Sequence, residues 1–256
     1  MSLTRLILRA AAPTPRIEDF DSFLFIGPHP DDIEIGAGAT AAKLAAAGKR
    51  VSFVICTDGR YGLEHAPAGT TPERLAELRR DEALASARVL GVEDVRFLGF
   101  SDGGFYDPGE LRLALARAVG EIRPQVVFAP DPDVESECHP DHRTVGEEAR
   151  RVAVFAPYGG IMEQYGAPWA DVQAIAFYMT ARPNRFVCTR GWLARQFEAI
   201  GCHATQFPVG TEAYRSLALY LRLRAADFGL RRVCGAAEGF RVLGKTHMHA
   251  LPEAGR

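Results

Sequence analysis

Several absences narrow what this 256-residue chain can be. No apolar run approaches the length of a membrane span, so no membrane partner is expected. There is no basic excess: 30 Lys and Arg stand against 32 Asp and Glu, a formal net charge of −2. A general nucleic-acid footprint is therefore not expected. There is no CxxC pair. The five cysteines (Cys56, Cys138, Cys188, Cys202 and Cys234) are odd in number and widely scattered. That pattern argues against a disulfide framework and for reduced thiols in the cytoplasm. The opening "MSLTRLILRAAAPTP" has a broken apolar stretch and early prolines rather than a signal-peptide pattern, and residues 1–20 are read as a leader segment. Repeats, low-complexity tracts and a clear linker are also missing, so a single domain over residues 1–256 is the simplest organisation, with 241–256 as a tail.

What is present is an alternation of strand-like and helix-like segments. "SFLFIG" (Ser22–Gly27), "RVSFVICT" (Arg50–Thr57), "VRFLGF" and "QVVFAPD" (Gln125–Asp131) are nearly continuous apolar runs, as strands buried on both faces are. Between them lie an Ala-rich segment ending at Gly48, a segment over Thr71–Gly91 with Pro72 at its start, and "GELRLALARAVGEIRP". These carry helix start and stop signals. A further helix is expected from near Asp141 to about Phe155, a loop over 157–170, a strand in "VQAIAFYMT", and late helices in "GWLARQFEAIG" and "TEAYRSLALYLRLRAADFG". Together they predict an α/β fold: a single Rossmann-like domain with a mostly parallel sheet and helices on both faces.

In such sheets ligands bind beyond the carboxyl ends of the strands, and the polar clusters fall there. His29-Pro30-Asp31-Asp32 follows the first strand, Thr57 to Arg60 the second, Ser101 to Gly104 the third, and Asp131 to His142 the fourth. Gly36-x-Gly38-x-x-Ala41 fits a dinucleotide fingerprint, with Asp58 about twenty residues on. A nucleotide-binding oxidoreductase is therefore the rival reading. Its placement is poor, because Pro28 to Ile35 separate the strand from the glycines and carry three acidic side chains that would repel a pyrophosphate. The plainer reading is that these glycines let the helix pack closely on the sheet.

"HPDD" and "ECHPDH" (Glu137–His142) supply three His and three Asp in two turns. Catalytic zinc takes about three such ligands and keeps a position for water. A lone His-Asp pair is usually a helix cap beside a surface charge; two His-Pro-Asp turns at strand ends weaken that reading. Adjacent aspartates on a tight turn point apart, so one can bind metal while the other faces the attacking water. His139 and His142, three apart at a helix start, can share one pocket.

"PHPDDIEIGAG" together with "HPDH" resembles the PIG-L/LmbE-like family of zinc-dependent N-acetyl-sugar deacetylases. "TDGRYG", "RRDEALASARVLG", "FLGFSDGGF" and "HATQF" extend the likeness from about Phe23 to Phe240. The resemblance implies His29, Asp32 and His142 as metal ligands and Asp31 as general base. It implies His139 as the group facing the developing oxyanion and Asp141 as the residue orienting a catalytic histidine, His139. It implies an N-acetylglucosamine-type amino-sugar substrate and Zn²⁺, although a His₂Asp set also suits Fe²⁺, Co²⁺ or Mn²⁺. A thiol-conjugate amidase, and a binding protein without turnover, are further alternatives.

Arg79 matches a position where the family's arginine contacts the polar substrate; an exposed helix arginine is the plainer reading. Asp102 is a substrate-binding candidate or simply a turn residue, and Asp58 and Arg60 share that ambiguity. His203 reads as structural first. In the tail, His247 and His249 are two apart beside the apolar Met248 and Leu251. Some oligomeric deacetylases that the chain resembles complete the pocket with a histidine near the C-terminus of a neighbouring subunit. The resemblance therefore implies a homo-oligomer in which His249, or else His247, contacts substrate.

Overall fold

The computed structural model describes residues 7–8 and 10–250. Strand β1 (Ser22–Gly27) is buried at all six positions. Phe23 and Phe25 enter one core with Phe53, Phe128, Tyr178 and Phe240. Leu24 and Ile26 enter a second core on the other face with Val54, Val127 and Phe177. An unbroken apolar strand is what a two-sided core requires. Around β1 stand β2 (Arg50–Thr57), β3 (Asp94–Phe100), β4 (Val126–Pro130), β5 (Ala174–Tyr178), β6 (Arg185–Cys188) and β7 (Ala237–Gly244). They form one seven-stranded sheet in the order β3-β2-β1-β4-β5-β7-β6. The pairings from β3 across to β5 are parallel, and β7 runs antiparallel to β5 and β6.

The strand order reverses between β1 and β4, the crevice where ligands bind in open parallel sheets. Two helices begin there. Helix α1 (Asp32–Ala46) starts four residues after β1 ends, and α4 (Pro140–Phe155) follows the loop after β4. Helices α2 (Pro72–Leu90) and α3 (Pro108–Ile122) complete the crossovers. The sequence signals act as expected in α2: Thr71 accepts a hydrogen bond from the Arg74 amide, Pro72 opens the helix and Gly91 closes it at φ 79°. Gly36 and Gly38 serve packing. A Cβ at Gly36 would drive into the Tyr178 ring, and one at Gly38 would lie 3.1 Å from Gln196 Cγ. The first turn of α1 is moreover filled by Asp31 and Asp32, where a pyrophosphate would have to sit.

Three expectations need correction. The loop expected over 157–170 contains the short helix α5 (Gly159–Gln164). The leader is anchored at its end, since Ile17 is buried and the Arg185 guanidinium donates to the carbonyls of Thr14 and, at 3.1 Å, Pro15. The tail expected from 241 begins inside the sheet: Arg241–Gly244 ends β7, and Lys245–His249 forms α8, after α6 (Leu193–Gly201) and α7 (Glu212–Arg232). Strands β6 and β7 were not expected at all. Leu251 lies outside the described residues.

Candidate metal and catalytic site

The turn after β1 and the N-terminus of α4 bring His29, Asp32 and His142 together, with ligating atoms within 4.8 Å of one another. Asp32 stands between the two histidines, its Oδ2 3.0 Å from His29 Nδ1 and its Oδ1 3.4 Å from His142 Nε2. The outer nitrogen of each ring meets a carboxylate. His29 Nε2 is 2.9 Å from Asp141, and His142 Nδ1 is 3.0 Å from Glu137. Each outer carboxylate selects the tautomer that turns a lone pair inward, the arrangement typical of metal-binding histidines. The residues present thus fit a divalent ion bound by two imidazoles and a carboxylate.

His29, His139 and Asp141 form a second cluster of the same span, but its donors are engaged. Asp141 Oδ2 accepts the Gly103 amide at 2.7 Å and Oδ1 the Gly104 amide at 2.8 Å. His139 caps α4, its Nδ1 accepting the Asp141 amide at 3.3 Å. The resemblance pairs Asp141 with His139. The two side chains are 3.8 Å apart, and it is His29 that the Asp141 carboxylate holds. The His139 ring stacks on His142 at 4.8 Å, and among the described residues its Nε2 meets no hydrogen-bond partner.

Asp31 is 8% exposed and sits at φ 137°, a backbone region that non-glycine residues enter only where the surroundings force it. Burial raises its carboxyl to about 6, against the opposing pull of Arg79. Arg79 is 4% exposed and donates to Asp31 Oδ2 at 3.0 Å and to the carbonyls of Pro30 and Gly59 at 2.9 and 3.0 Å. It is not an exposed helix arginine. Its observed partners are the turn itself.

Asp102 is buried with both oxygens 3.3 Å from the Tyr61 amide, so it ties the loops after β2 and β3 together. Asp58 and Arg60 bind each other. His203 is fully buried with Nε2 3.3 Å from Glu34, as a structural role requires. His249 is not brought to the site. Its Nε2 lies 3.3 Å from the Tyr158 hydroxyl. Tyr158 lies beyond the far end of α4, about 24 Å from His142 at helical rise. His247 bonds instead to the Ala12 carbonyl at 3.1 Å. Glu137 had no assigned role in the sequence; its signal was a carboxylate five positions before a histidine.

Burial disfavours the cation of His29, yet hydrogen bonds to Asp141 and Asp32 outweigh it and raise the group to about 10. His142 is raised to about 9 for the same reason, with Asp32 and Glu137 prevailing over burial. Asp32 is held well below the usual carboxylate range despite its burial, chiefly by His142 and His29. At pH 7 the metal-free protein thus carries two imidazolium ions and a carboxylate where an ion must bind. A ligating imidazole must be neutral. Zinc binding at pH 7 is therefore expected to release close to two protons, and the apparent affinity to rise with pH up to about 9–10. Titration calorimetry in two buffers of different ionisation enthalpy counts those protons. A count near zero contradicts the raised charge state of the two histidines in the metal-free protein.

The fold thus places a His₂Asp set that fits a divalent ion at its switch point. A family model, PIG-L: GlcNAc-PI de-N-acetylase, matches residues 24–153, and the chain belongs to that family. It is 32% identical over 239 residues to the diacetylchitobiose deacetylase of Thermococcus kodakarensis, covering 92% of this chain and 88% of the relative. It is 33% identical over 204 residues to the 1D-myo-inositol 2-acetamido-2-deoxy-alpha-D-glucopyranoside deacetylase of Kineococcus radiotolerans, covering 68% of this chain and 56% of that one. Among solved structures, N,N'-diacetylchitobiose deacetylase from Pyrococcus horikoshii superposes with a TM-score of 0.87 at 30% identity, covering 98% and 97% of the two chains. The chain is accordingly an enzyme of the amide-hydrolysing class.

Proposed function

We propose that this enzyme hydrolyses the acetamide of an N-acetylglucosamine-type sugar, releasing acetate and a free amino sugar, with Zn²⁺ held by His29, Asp32 and His142. The observation that carries the reading is the pairing of a tautomer-fixed His₂Asp set with a separate buried carboxylate, Asp31, one residue from a ligand. Held by these three residues, a divalent ion would supply an acidified water and a polarised amide carbonyl. Asp31 takes the proton of the attacking water and passes it to the departing nitrogen. A carboxyl raised to about 6 is better matched to that exchange near neutral pH than an ordinary aspartate. Arg79 fixes the Asp31 side chain. His139, whose Nδ1 is used by the α4 cap, offers its Nε2–H to the carbonyl oxygen as negative charge develops. Asp141 steadies His29 rather than His139.

The relatives' names support the amino-sugar substrate. Burial of Asp102 and Arg79 against the protein's own backbone makes loop positioning their first role. Residence in the cytoplasm is part of the same proposal, supported by five free cysteines. So is a homo-oligomer. His249 lies against Tyr158, beyond the far end of α4 from His142, so a role for it in catalysis requires a neighbouring subunit's pocket.

The test is release of acetate and free amine from N-acetylglucosamine and N,N'-diacetylchitobiose, with and without chelator. Turnover is expected with zinc, loss with chelator and recovery on adding zinc back. Chelator-insensitive turnover refutes the metal, and NAD binding without amide cleavage refutes the class.

A further inference from the structure

The cysteines are scattered in sequence, and the fold brings two of them together. Cys188 ends β6, and Cys234 follows the end of α7, 46 positions on. The Cys188 Sγ lies 3.6 Å from the Cys234 carbonyl oxygen, and the two thiols are within hydrogen-bond reach of each other. Both are partly exposed, whereas Cys56 is buried. Neither takes any part in the deacetylase site.

The backbone holds both sulfurs in place. Cys188 stands in register with Ala237 of β7, and the next amide, Thr189, donates to the Ala236 carbonyl at 2.9 Å. Cys234 sits in a tight reversal between Val233 at φ 57° and Gly235 at φ 82°, its amide donating to the Gly229 carbonyl at 3.0 Å. The reversal lies flat on the end of α7: a Cβ at Gly229 would come within 2.5 Å of the Gly235 carbonyl carbon and the Ala236 nitrogen. The Cys234 thiol donates to the Ala236 carbonyl at 3.3 Å. The surroundings also distinguish the two thiols. Burial disfavours the Cys188 thiolate, but the Cys234 thiol, the Arg190 amide and the charges of Lys43 and Arg232 prevail and hold it below the usual thiol range. Burial, then Cys188 itself, pushes Cys234 up. One thiol is fitted to attack and the other to keep its proton and resolve.

We propose that Cys188 and Cys234 form a redox-modification site, closed to a disulfide by a peroxide and reopened by a dithiol, and that the closed bridge braces the edge of the sheet. The Cys188 thiolate attacks one peroxide oxygen and the O–O bond breaks. Cys188 becomes a sulfenic acid, and the departing hydroxide takes up the proton that Cys188 had released, leaving as water. The Cys234 sulfur then attacks the sulfenic sulfur. The S–S bond forms, the S–O bond breaks, and hydroxide leaves with the Cys234 proton as a second water. Two thiols and one hydrogen peroxide give one disulfide and two waters, the two electrons passing to the peroxide. Thiol–disulfide exchange with a dithiol reverses the change. The bridge crosses a weak point, because β6 is a four-residue edge strand paired with β7 alone. A covalent link from its last residue to the turn after α7 closes a loop of 46 positions and restricts the unfolded chain accordingly.

The experiment exposes the full-length holoenzyme to a small molar excess of hydrogen peroxide and then to dithiothreitol. Two of the five thiols are expected to disappear, with the Cys188 and Cys234 peptides recovered by mass spectrometry as one linked species. The Tm is expected to rise by roughly 5–10 °C. Dithiothreitol is expected to reverse all three changes. Cys234→Ser is expected to stop at the sulfenic acid, trapped on Cys188 by dimedone, and Cys188→Ser to give neither adduct nor bridge. Neither variant is expected to change its Tm with peroxide. Absence of the linked peptide, capture of peroxide at Cys138 with both thiols intact, or equal thiol loss in Cys188→Ser overturns the site. A bridge that forms without raising the Tm overturns the brace.

Discussion

Asp31→Asn is expected to lower kcat by roughly 10²–10⁴-fold while zinc content stays near one per chain. Asparagine keeps the shape of the side chain and can still meet the Arg79 guanidinium. It cannot accept the proton of the attacking water. The neighbouring Asp32 makes the contrast: Asp32→Ala removes the group standing between His29 and His142 and is expected to release the metal. Zinc analysis of dialysed protein beside steady-state kinetics separates the two outcomes. Near-normal turnover in Asp31→Asn would remove Asp31 from the reaction. The strained φ of 137° at this position suggests an additional effect, because a residue released from a functional constraint relaxes its backbone. Asp31→Gly accommodates that φ without strain but leaves the buried Arg79 guanidinium without its carboxylate, and is expected to be equally inactive.

The second large effect separates two histidines on one turn of helix. His142→Ala is expected to weaken or abolish metal binding and so remove activity altogether. His139→Ala is expected to keep the metal and lose roughly 10²–10³ in kcat, the range for losing one oxyanion donor. Geometry makes the distinction: His142 turns Nε2 toward Asp32, whereas His139 uses Nδ1 to cap α4 and has no partner for Nε2 among the described residues. Its charge state agrees. Burial, before any neighbouring charge, holds His139 below the usual histidine range, which favours the neutral N–H donor near neutral pH. Metal loss in His139→Ala with metal retained in His142→Ala would show that the second cluster is the one that binds, and equal loss in both would remove the division of roles.

Much of this architecture was legible in the sequence because its central strands are buried on both faces. β1, β2 and β4 are therefore apolar at nearly every position and could not be mistaken for loops. β7 escaped because its interior carries polar groups satisfied from a distance. Glu238 accepts the Ala39 and Thr40 amides, and Arg241 pairs with Asp131. Neither partner is near in sequence, so "AEGFRVLG" reads locally as a polar end. β6, at four residues, is too short for any periodicity.

The site shows the same division. The cluster of His29, Asp32 and His142 was legible because its members lie in two compact motifs. The partner of Asp141 was not, because the nearest histidine in sequence, His139, turned out to be using its own ring nitrogen on the Asp141 amide. That leaves the carboxylate to face back across the sheet to His29. Arg79 was ambiguous for a similar reason. Only the packing of α2 against the turn after β1 determines that its guanidinium meets Asp31.

The order of the strands has a final consequence, for how the molecule reaches its native state. His29 and Asp141, whose side chains meet, are 112 positions apart in the chain. The two halves of the centre cannot approach until β4 has crossed over and docked beside β1, past β2 and β3, and closing a loop of that size costs about 4 kcal/mol of chain entropy. An ion that recognises only the closed arrangement repays a similar amount when present at about a thousand times its dissociation constant. A metal ion bound at the centre would therefore also act as a fastener between the first and fourth strands, holding together two turns that are far apart in the chain.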